Sequence, residues 1–386
     1  MAAKSHRELN RTPEAPPTRV GASSFFLSGC DNPADMNTLF WADGSAQMGL
    51  GHLFRTALIA GALKELCEGD STLLTSSQDD VLAPFKKKFD SIQKLPDNPS
   101  YEIIVPLLST LIEDANISLV VIDRPHYPPD LCHHLKQFKA RHIKPAIVAF
   151  GAADMAPNCV DMIIDANQNE SEMSRFKGSS TTALLGPRFA ALAPVFADAR
   201  DRFVVRDSLE RLVISMGGSD PNFATFTAYS AALSLKRLTI DVALGPAFPE
   251  ENRRRLEAIV DANRTTLHYG ESQENIAELF ARADACIVSG GITMFEAAAV
   301  GLPVLVISQN ESQLRNAEHL AFRGAVVNAG LFLKTSAQNL ASTLSAWQTS
   351  RDTRLELSRR AREAVDGKGI QLICARILQL LADNTS

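Results

Sequence analysis

Residues 38–66 read TLFWADGSAQMGLGHLFRTALIAGALKEL, and this stretch decides the class of fold. Its first part, Thr38–Asp43, is a short apolar run with the length of a buried strand. A glycine-rich loop follows, and Leu53–Leu66 then has a strong helical pattern. A strand, a glycine-rich loop and a helix in this order indicate the first unit of a parallel α/β sheet.

The same alternation of strand and helix continues along the chain in two series. Runs rich in Val, Ile and Leu, typical of strands buried on both faces of a parallel sheet, alternate with helical segments such as Asn275–Ala283 and Ser312–Phe322. The first series predicts strands at Thr38–Asp43, Thr72–Thr75, Leu119–Asp123, Ala146–Phe150, Met162–Asp165 and Thr182–Leu185. The second predicts strands at Arg211–Met216, Leu238–Leu244, Thr266–Tyr269, Ala285–Ser289, Pro303–Ser308 and Ala325–Asn328. We therefore predict two doubly wound, Rossmann-like α/β domains.

The length agrees with two domains, because 386 residues exceed one ordinary hydrophobic core. A charged helix at Phe196–Phe203 leads into the second series, so we place the boundary near Pro194–Asp207. This predicts an N-terminal domain at 37–200, a C-terminal domain at 201–350 and a C-terminal segment at 351–386. That segment is helical and amphipathic over Arg351–Ala382, and the sequence leaves open whether it packs against the first domain. Residues 1–36, rich in Pro, Ser, Ala and charged residues, are predicted to be a disordered extension.

Composition excludes several classes of protein. The net charge of −5 leaves no basic footprint for nucleic acid, and no stretch approaches the roughly 20 apolar residues of an integral membrane segment. The sequence has no HExxH motif, EF-hand loop, Walker A motif or zinc cluster, so we expect neither a metal nor a cofactor. Reduced, buried thiols in a cytoplasmic protein are expected from scattered cysteines at Cys30, Cys67, Cys132, Cys159, Cys286 and Cys374.

The loop between the first strand and its helix carries the first candidate site. Gly49 and Gly51 allow backbone N–H groups to approach a ligand, and the helix N-terminus adds partial positive charge. His52 lies in the first turn of the helix, where a neutral imidazole is favoured and can act as a general base. Asp43, at the end of the strand, is the expected group that orients the ring or a water molecule. A surface histidine that caps the loop is the alternative.

A second candidate is the turn that opens the C-terminal domain. Gly217, Gly218 and Ser219 follow a strand and precede a proline at an expected helix start, which is typical of an anion-accepting turn. An ordinary turn with Asp220 as the N-cap is the alternative. A polar loop that contains Gln309 follows a later strand and is a weaker candidate for base or sugar contacts, or else a solvated loop.

A third candidate follows another buried strand, at Ser289, Gly290 and Gly291. The glycines and the helix N-terminus are predicted to bind phosphate, and Glu296 to accept hydrogen bonds from ribose hydroxyls. Thr293-x-x-Glu296 also fits a capping box, in which both side chains serve the helix instead of a ligand. Both roles remain open at this point.

One known family shares these motifs. Gly49-Leu50-Gly51-His52-Leu53-Phe54-Arg55 is similar to the GxGHxxR motif of the UDP-2,4-diacetamido-2,4,6-trideoxy-β-L-altropyranose hydrolases of pseudaminic acid biosynthesis, also described as SpsG-like spore-coat polysaccharide proteins. The second half also resembles the nucleotide-binding half of MurG-type glycosyltransferases. Further matches keep their order from about residue 38 to 330, namely Asp43-x-Ser45-x-Gln47, Val121-Ile122-Asp123, Asn167, Leu185-Gly186-Pro187, Met216-Gly217-Gly218-Ser219-Asp220 and Ser289-Gly290-Gly291 with Glu296.

The resemblance implies a GT-B fold, in which two such domains face each other across a cleft. It also implies metal-independent hydrolysis of a UDP-linked diacetamido-trideoxy hexose: water attacks the anomeric carbon with inversion, the histidine matching His52 is the base, and UDP leaves. The second-domain glycine turns and Glu296 would hold UDP, and Gln47, Arg55 and Asn167 would line the substrate site. The expected partner is therefore a small-molecule UDP-sugar.

The sequence departs from the family pattern in the first domain, which would face the sugar. Trp41 stands where arginine is usual, and a family Asp-His-Tyr reads Asp123-Arg124-Pro125. A family Asp-Asp pair reads Gly151-Ala152, and a Tyr-x-x-Leu-Arg segment reads Phe189-Ala190-Ala191-Leu192-Ala193. Two alternatives therefore stay open, a GT-B glycosyltransferase that uses a UDP-sugar donor and a non-catalytic UDP-sugar-binding protein. The sequence sets neither the sugar nor the oligomeric state.

Overall fold

A computed structural model describes residues 36–45, 48–97, 100–125, 127, 131–135, 145–152 and 155–385. Two parallel sheets dominate it, with seven and six strands. The strands are β1 Asn37–Ala42, β2 Ser71–Thr75, β3 Ser91–Lys94, β4 Ile117–Asp123, β5 Ala146–Phe150, β6 Met162–Asp165, β7 Thr182–Leu185, β8 Arg211–Ser215, β9 Thr239–Leu244, β10 Thr265–Tyr269, β11 Ala285–Ser289, β12 Val304–Ser308 and β13 Val327–Leu331.

Helices cover both sheets. They are α1 Gly51–Leu66, α2 Asp79–Leu82, α3 Tyr101–Asp114, α4 Pro194–Arg202, α5 Ala224–Leu233, α6 Glu250–Glu257, α7 Gln273–Arg282, α8 Ile292–Val300, α9 Glu311–Phe322, α10 Ala337–Thr349, α11 Arg351–Ala364 and α12 Gly369–Thr385. Residues 131–135 are also helical, and short 3-10 helices lie at Glu170–Phe176, Pro187–Phe189 and Phe332–Lys334. No helix in these described ranges is long and apolar enough to cross a membrane.

Each sheet is doubly wound and reverses its strand order once. The first has the order β3-β2-β1-β4-β5-β6-β7, and the second has the order β10-β9-β8-β11-β12-β13. The order reverses between β1 and β4 in the first sheet and between β8 and β11 in the second. In open α/β sheets, ligands bind beyond the carboxyl ends of the strands at these points. The prediction of two doubly wound domains is confirmed.

Alternation of side chains along β1 determines which helix layer each one faces. Phe40 and Ala42 pack in the apolar cluster that contains Leu53 and other residues of α1. Leu39 and Trp41 pack in the cluster on the opposite face, beside α3. Successive side chains of a strand point to opposite faces of the sheet. Asp43, which follows β1, and Asp123, which ends β4, are therefore also each directed to one of the two faces.

The C-terminal segment returns to the first domain. Ile370, Ile373 and Ile377 of α12 are buried in the same apolar cluster as Leu53 of α1. Its helical pattern is interrupted, however, since α11 ends at Ala364 and α12 begins at Gly369. Gly367 lies between them with a φ of +77°, a left-handed conformation that ends a helix and favours glycine.

Some local expectations differ from the structure. Strand β3 was not predicted, because it is a short, largely exposed edge strand with the polar sequence SIQK and lacks an apolar run. The last strand is shifted from Ala325–Asn328 to Val327–Leu331. Two of the cysteines expected to be reduced, Cys132 and Cys159, form a disulfide, which the fold makes possible by bringing together residues 27 positions apart. The predicted extension at 1–36 lies outside the described residues except for Met36.

Candidate active site

A histidine and an aspartate from different elements meet at the reversal point of the first sheet. His52 lies in the first turn of α1, and Asp123 ends β4. Their Nδ1 and Oδ1 atoms are 2.7 Å apart. Asp123 has no exposed side-chain surface, whereas 22% of the His52 side chain is exposed. In the neutral ring, the charged carboxylate of Asp123 favours the tautomer with hydrogen on Nδ1, which leaves the lone pair of Nε2 for a proton from a ligand or water.

Arg55 holds the carboxylate of this pair from one helical turn away. Its Nε and Nη2 donate to the two oxygens of Asp123 at 2.6 and 2.5 Å, and its guanidinium lies 5.1 Å from the ring centre of Phe150. Burial by itself raises the pKa of Asp123, but Arg55 and His52 outweigh it and hold that pKa at about 2. The carboxylate is therefore charged at neutral pH and rigidly placed beneath the imidazole.

Asp43 was expected to orient either the His52 ring or a water molecule, and it does not contact the ring. It accepts hydrogen bonds from Arg124 Nη1 at 2.6 Å, from the Ser76 amide at 2.7 Å and from Thr75 Oγ1 at 3.1 Å. The reason is side-chain alternation, because Asp43 follows β1 on the face opposite α1. In the sequence, Asp123 was noted as the end of a strand and as part of the matched Val121-Ile122-Asp123, and the adjacency of β1 and β4 makes it the partner of His52.

The loop before α1 reaches the second domain. Gly49 has a φ of +86°, and Ser45 and Gly49 form an antiparallel bridge that closes the loop. Leu50 is 4% exposed, and a Cβ added to Gly218 would lie 3.4 Å from its Cγ. Gly51 is exposed at the start of α1, and Gln47 lies outside the described residues. The loop that carries His52 thus contacts the first glycine turn of the C-terminal domain.

The first glycine turn is followed by a carboxylate, that of Asp220. Asp220 accepts hydrogen bonds from the backbone N–H groups of Ala224 and Thr225 at 2.8 and 2.9 Å, so its carboxylate binds the N-terminus of α5, although the N-cap is Phe223 and not Asp220 as the alternative interpretation expected. Helix α5 begins at Ala224 and not at Pro221, so the expected proline start is wrong. An anion already occupies this helix N-terminus, and Ser219 beside it is buried.

The second glycine turn leaves its helix uncapped. Helix α8 begins at Ile292, its N-cap is Gly291, and no side chain caps it. Thr293 therefore lies inside the first turn, and the capping-box interpretation is wrong. A Cβ at Gly290 would lie 2.5 Å from the carbonyl oxygen of Gln313, so glycine is required there. The N–H groups of Ile292 and Thr293 at the start of α8 are available to a bound anion, whereas that of Met294 donates to the carbonyl oxygen of Gly291.

The two glycine turns meet, as strand adjacency requires. A Cβ at Gly217 would lie 3.4 Å from Ser289 Oγ and 3.6 Å from Thr293 Oγ1. Gln309 joins the same edge, because its Nε2 donates to the carbonyl oxygen of Met216 at 3.3 Å. These residues end or follow β8, β11 and β12, which are neighbours in the sheet. The three predicted loops therefore form one edge.

Glu296 is a buried carboxyl group without a hydrogen-bond partner among the described residues. It lies in the second turn of α8 and is 7% exposed. Burial raises its pKa to about 8. Asp220, by contrast, is also buried but accepts two backbone hydrogen bonds. An unpaired buried carboxyl costs folding free energy, and a ligand that donates hydrogen bonds would remove that cost.

Two further features complete the surroundings. The side-chain Oδ1 of Asn167 is buried with no hydrogen-bond partner in the described part of the chain, while its backbone N–H donates to Asp165. A cavity of about 330 Å³ lies beyond the ends of β9 and β10. It is lined by Leu244, Gly245, Pro246, Phe248, Arg253, Tyr269 and Gly270. Within the residues that the structure describes, no group of three or more His, Cys, Asp or Glu side chains is arranged to hold a metal ion.

Comparison with known sequences finds two similar proteins. The spore coat polysaccharide biosynthesis protein SpsG of Bacillus subtilis is 28% identical over 351 residues, which cover 89% of this chain and 98% of SpsG. An uncharacterised protein of Methanocaldococcus jannaschii is 27% identical over 288 residues, or 70% of this chain and 55% of that protein. No protein-family model matches the sequence.

Comparison with solved structures supports the architecture. MurG of Acinetobacter baumannii is 15% identical, with a TM-score of 0.62 over 89% of this chain and 99% of MurG. The UDP-GlcNAc 2-epimerase of Neisseria meningitidis, solved with UDP-GlcNAc, is 14% identical, with a TM-score of 0.58 over 89% of this chain and all of the epimerase. Together with the two parallel sheets, these similarities show the GT-B fold.

Proposed function

We propose that the protein is an enzyme of polysaccharide sugar biosynthesis that hydrolyses a UDP-sugar. The observation that carries this proposal is the His52–Asp123 pair, whose carboxylate is buried and whose ring is partly exposed. Its loop contacts the first glycine turn, and that turn meets the second one, where the helix is uncapped and Glu296 is unpaired. The similarity to SpsG supports a place in polysaccharide biosynthesis.

The C-terminal edge suits a nucleoside diphosphate. The N-terminus of α8 offers backbone N–H groups to the diphosphate, and the glycine turns allow its close approach. Glu296 would accept hydrogen bonds from the ribose hydroxyls, which would satisfy its buried carboxyl. The cavity beside Tyr269 has room for a nucleobase. Helix α5 contributes no phosphate site, because Asp220 already occupies its N-terminus.

The first domain would then supply the base for attack at the anomeric carbon. Water gives a proton to Nε2 of His52 as its oxygen bonds to C1, and the C1–O bond to the diphosphate breaks with its electron pair going to UDP. Asp123 stabilises the imidazolium that forms, and it keeps the ring in the tautomer that can accept a proton. The backbone donors of α8 stabilise the negative charge on the departing diphosphate. Attack from the face opposite UDP inverts C1.

A panel of UDP-sugars tests this proposal. UDP release is followed without and with candidate acceptors, and NMR assigns the anomeric configuration of the freed sugar. We expect UDP release without an acceptor and an inverted product. UDP release only with an acceptor would show a glycosyltransferase, and tight binding without turnover would show a binding protein.

A matched pair of variants tests the base. His52→Asn should lower turnover about 10²- to 10⁴-fold and leave UDP affinity nearly unchanged. His268 is also hydrogen-bonded to an aspartate, with its Nε2 2.9 Å from Asp241 Oδ1, but it lies on β10 in the other domain. His268→Asn should keep turnover. Near-normal turnover in folded His52→Asn would remove the chemical support for hydrolysis.

A further inference from the structure

A second arginine–aspartate pair lies at the same reversal point as the His52–Asp123 pair, on the opposite face of the sheet. Arg124 follows Asp123 directly, and its Nη1 donates to Asp43 Oδ2 at 2.6 Å. Its guanidinium lies 4.6 Å from the ring centre of Trp41, which is fully buried. The guanidinium is therefore held both by a carboxylate and by an aromatic face.

Arg124 is not needed to hold Asp43 in place. Asp43 is fixed by donors from the neighbouring loop, namely the Ser76 amide and hydroxyl and the Thr75 hydroxyl. An arginine side chain has five N–H donors. Among the described residues, only Asp43 accepts a hydrogen bond from the side chain of Arg124. The side chain is 19% exposed, so it is not enclosed by the described residues.

The position of Arg124 relates it to the sugar. In this sheet the reversal point lies between β1 and β4, and His52 and Arg124 lie beyond the same strand ends on opposite faces. A sugar that spans the carboxyl ends of β1 and β4, with its anomeric carbon at His52, would meet Arg124 on the other side of these ends. Trp41 and Arg124 are also two positions at which the sequence departs from the family pattern, and the structure brings them into contact.

We propose that Arg124 is a specificity-determining residue that binds an N-acyl carbonyl oxygen of the sugar. The carboxylate of Asp43 neutralises the guanidinium, so the pair favours a neutral acceptor over a second anion. A planar guanidinium anchored at one edge presents its other N–H groups in a fixed direction, which suits a carbonyl oxygen. This inference rests on the proposed function, because it assigns the sugar end of the same site.

Calorimetry with UDP, UDP-glucose and UDP-N-acetylglucosamine tests the assignment, because the two sugars differ only in a hydroxyl or an acetamido group at C2. In the wild type, the acetamido sugar should bind about 10- to 100-fold more tightly than UDP-glucose, which is the value of one hydrogen bond to a charged group. Arg124→Met should abolish this preference and leave UDP affinity unchanged. Arg124→Lys keeps a donor without the planar fork and should recover part of the preference.

The control is Arg175→Met, which removes an arginine stacked on an aromatic ring elsewhere in the first domain. It should retain the preference, and thermal denaturation should show that all variants are folded. Two results would overturn the assignment. One is the same preference for the acetamido sugar in wild type and Arg124→Met, and the other is a loss of UDP affinity in Arg124→Met as large as its loss of affinity for the acetamido sugar. Because the readout is binding, failure of the proposed hydrolysis is seen separately, as UDP-sugars that bind but release no UDP.

Discussion

Replacing Asp123 by asparagine should impair both turnover and folding. The wild-type carboxylate accepts the Nδ1 hydrogen of His52, whereas an asparagine amide can donate to Nδ1. If its oxygen stays with Arg55, its NH₂ group faces the imidazole and favours the tautomer with hydrogen on Nε2. That tautomer cannot accept a proton from water, so we expect turnover to fall about 10²- to 10⁴-fold.

The structure also sets the expected loss of stability. A carboxyl whose pKa is about 2 in the fold and 3.8 in the unfolded chain contributes roughly 2–3 kcal/mol to the free energy of unfolding at neutral pH. This stability is present above pH 4 and is lost as the pH falls toward 2, because the pKa is lowered on folding. Asp123→Asn also leaves the Arg55 guanidinium without its counter-charge, which brings the loss to about 3 kcal/mol.

Denaturant titration between pH 2 and pH 7 and single-turnover UDP release measure the two effects. The stability difference between wild type and variant should shrink as the pH falls below 4. The double variant His52→Asn/Asp123→Asn should lose little more turnover than either single variant, because the two residues act as one unit. Asp241→Asn, which breaks the comparable pair with His268, is the control for turnover. Full activity in folded Asp123→Asn, or losses that multiply in the double variant, would refute the reasoning.

Four other predictions concern the nucleotide edge and the role of metal. Burial raises the pKa of Glu296 from 4.5 to about 8, so stability is lost as the pH rises through this range; Glu296→Gln should therefore raise the Tm relative to wild type at pH 8.5 more than at pH 5. Calorimetry should show that Glu296→Ala weakens UDP binding by about 1–3 kcal/mol, and unchanged affinity would exclude the ribose role. A Cβ at Gly245 would lie 2.2 Å from the carbonyl oxygen of Gly217, so Gly245→Ala should cost about 1–3 kcal/mol of stability and displace the glycine turn. Gly61→Ala, in open helical surroundings, should be neutral or stabilising in the same thermal assay. UDP release should continue in EDTA, and a loss that Mg²⁺ or Mn²⁺ restores would contradict metal-independent hydrolysis.

The sequence alone was sufficient for the fold class and for the loops of the site. Apolar runs and glycine-rich turns are local signals, and they predicted the two sheets and the turns at Gly217 and Gly290. Strand β3 lacked such a signal because edge strands need not be apolar. The disulfide between Cys132 and Cys159 likewise joins two segments that only the fold brings together.

Only the tertiary structure decided which residues of the site are hydrogen-bonded to each other. Asp43 and Asp123 both end strands, and the sequence favoured Asp43 as the partner of His52 because it is nearer along the chain. Strand order and side-chain alternation instead direct Asp123 to the α1 face and Asp43 to Arg124. In the same way, the spacing of Thr293 and Glu296 fits a capping box, but the N-cap of the helix is Gly291, two residues before Thr293, and Glu296 is left unpaired. The sequence determines which chemical groups lie at the strand ends, and packing across the sheet determines their partners, because those contacts join residues far apart in the chain.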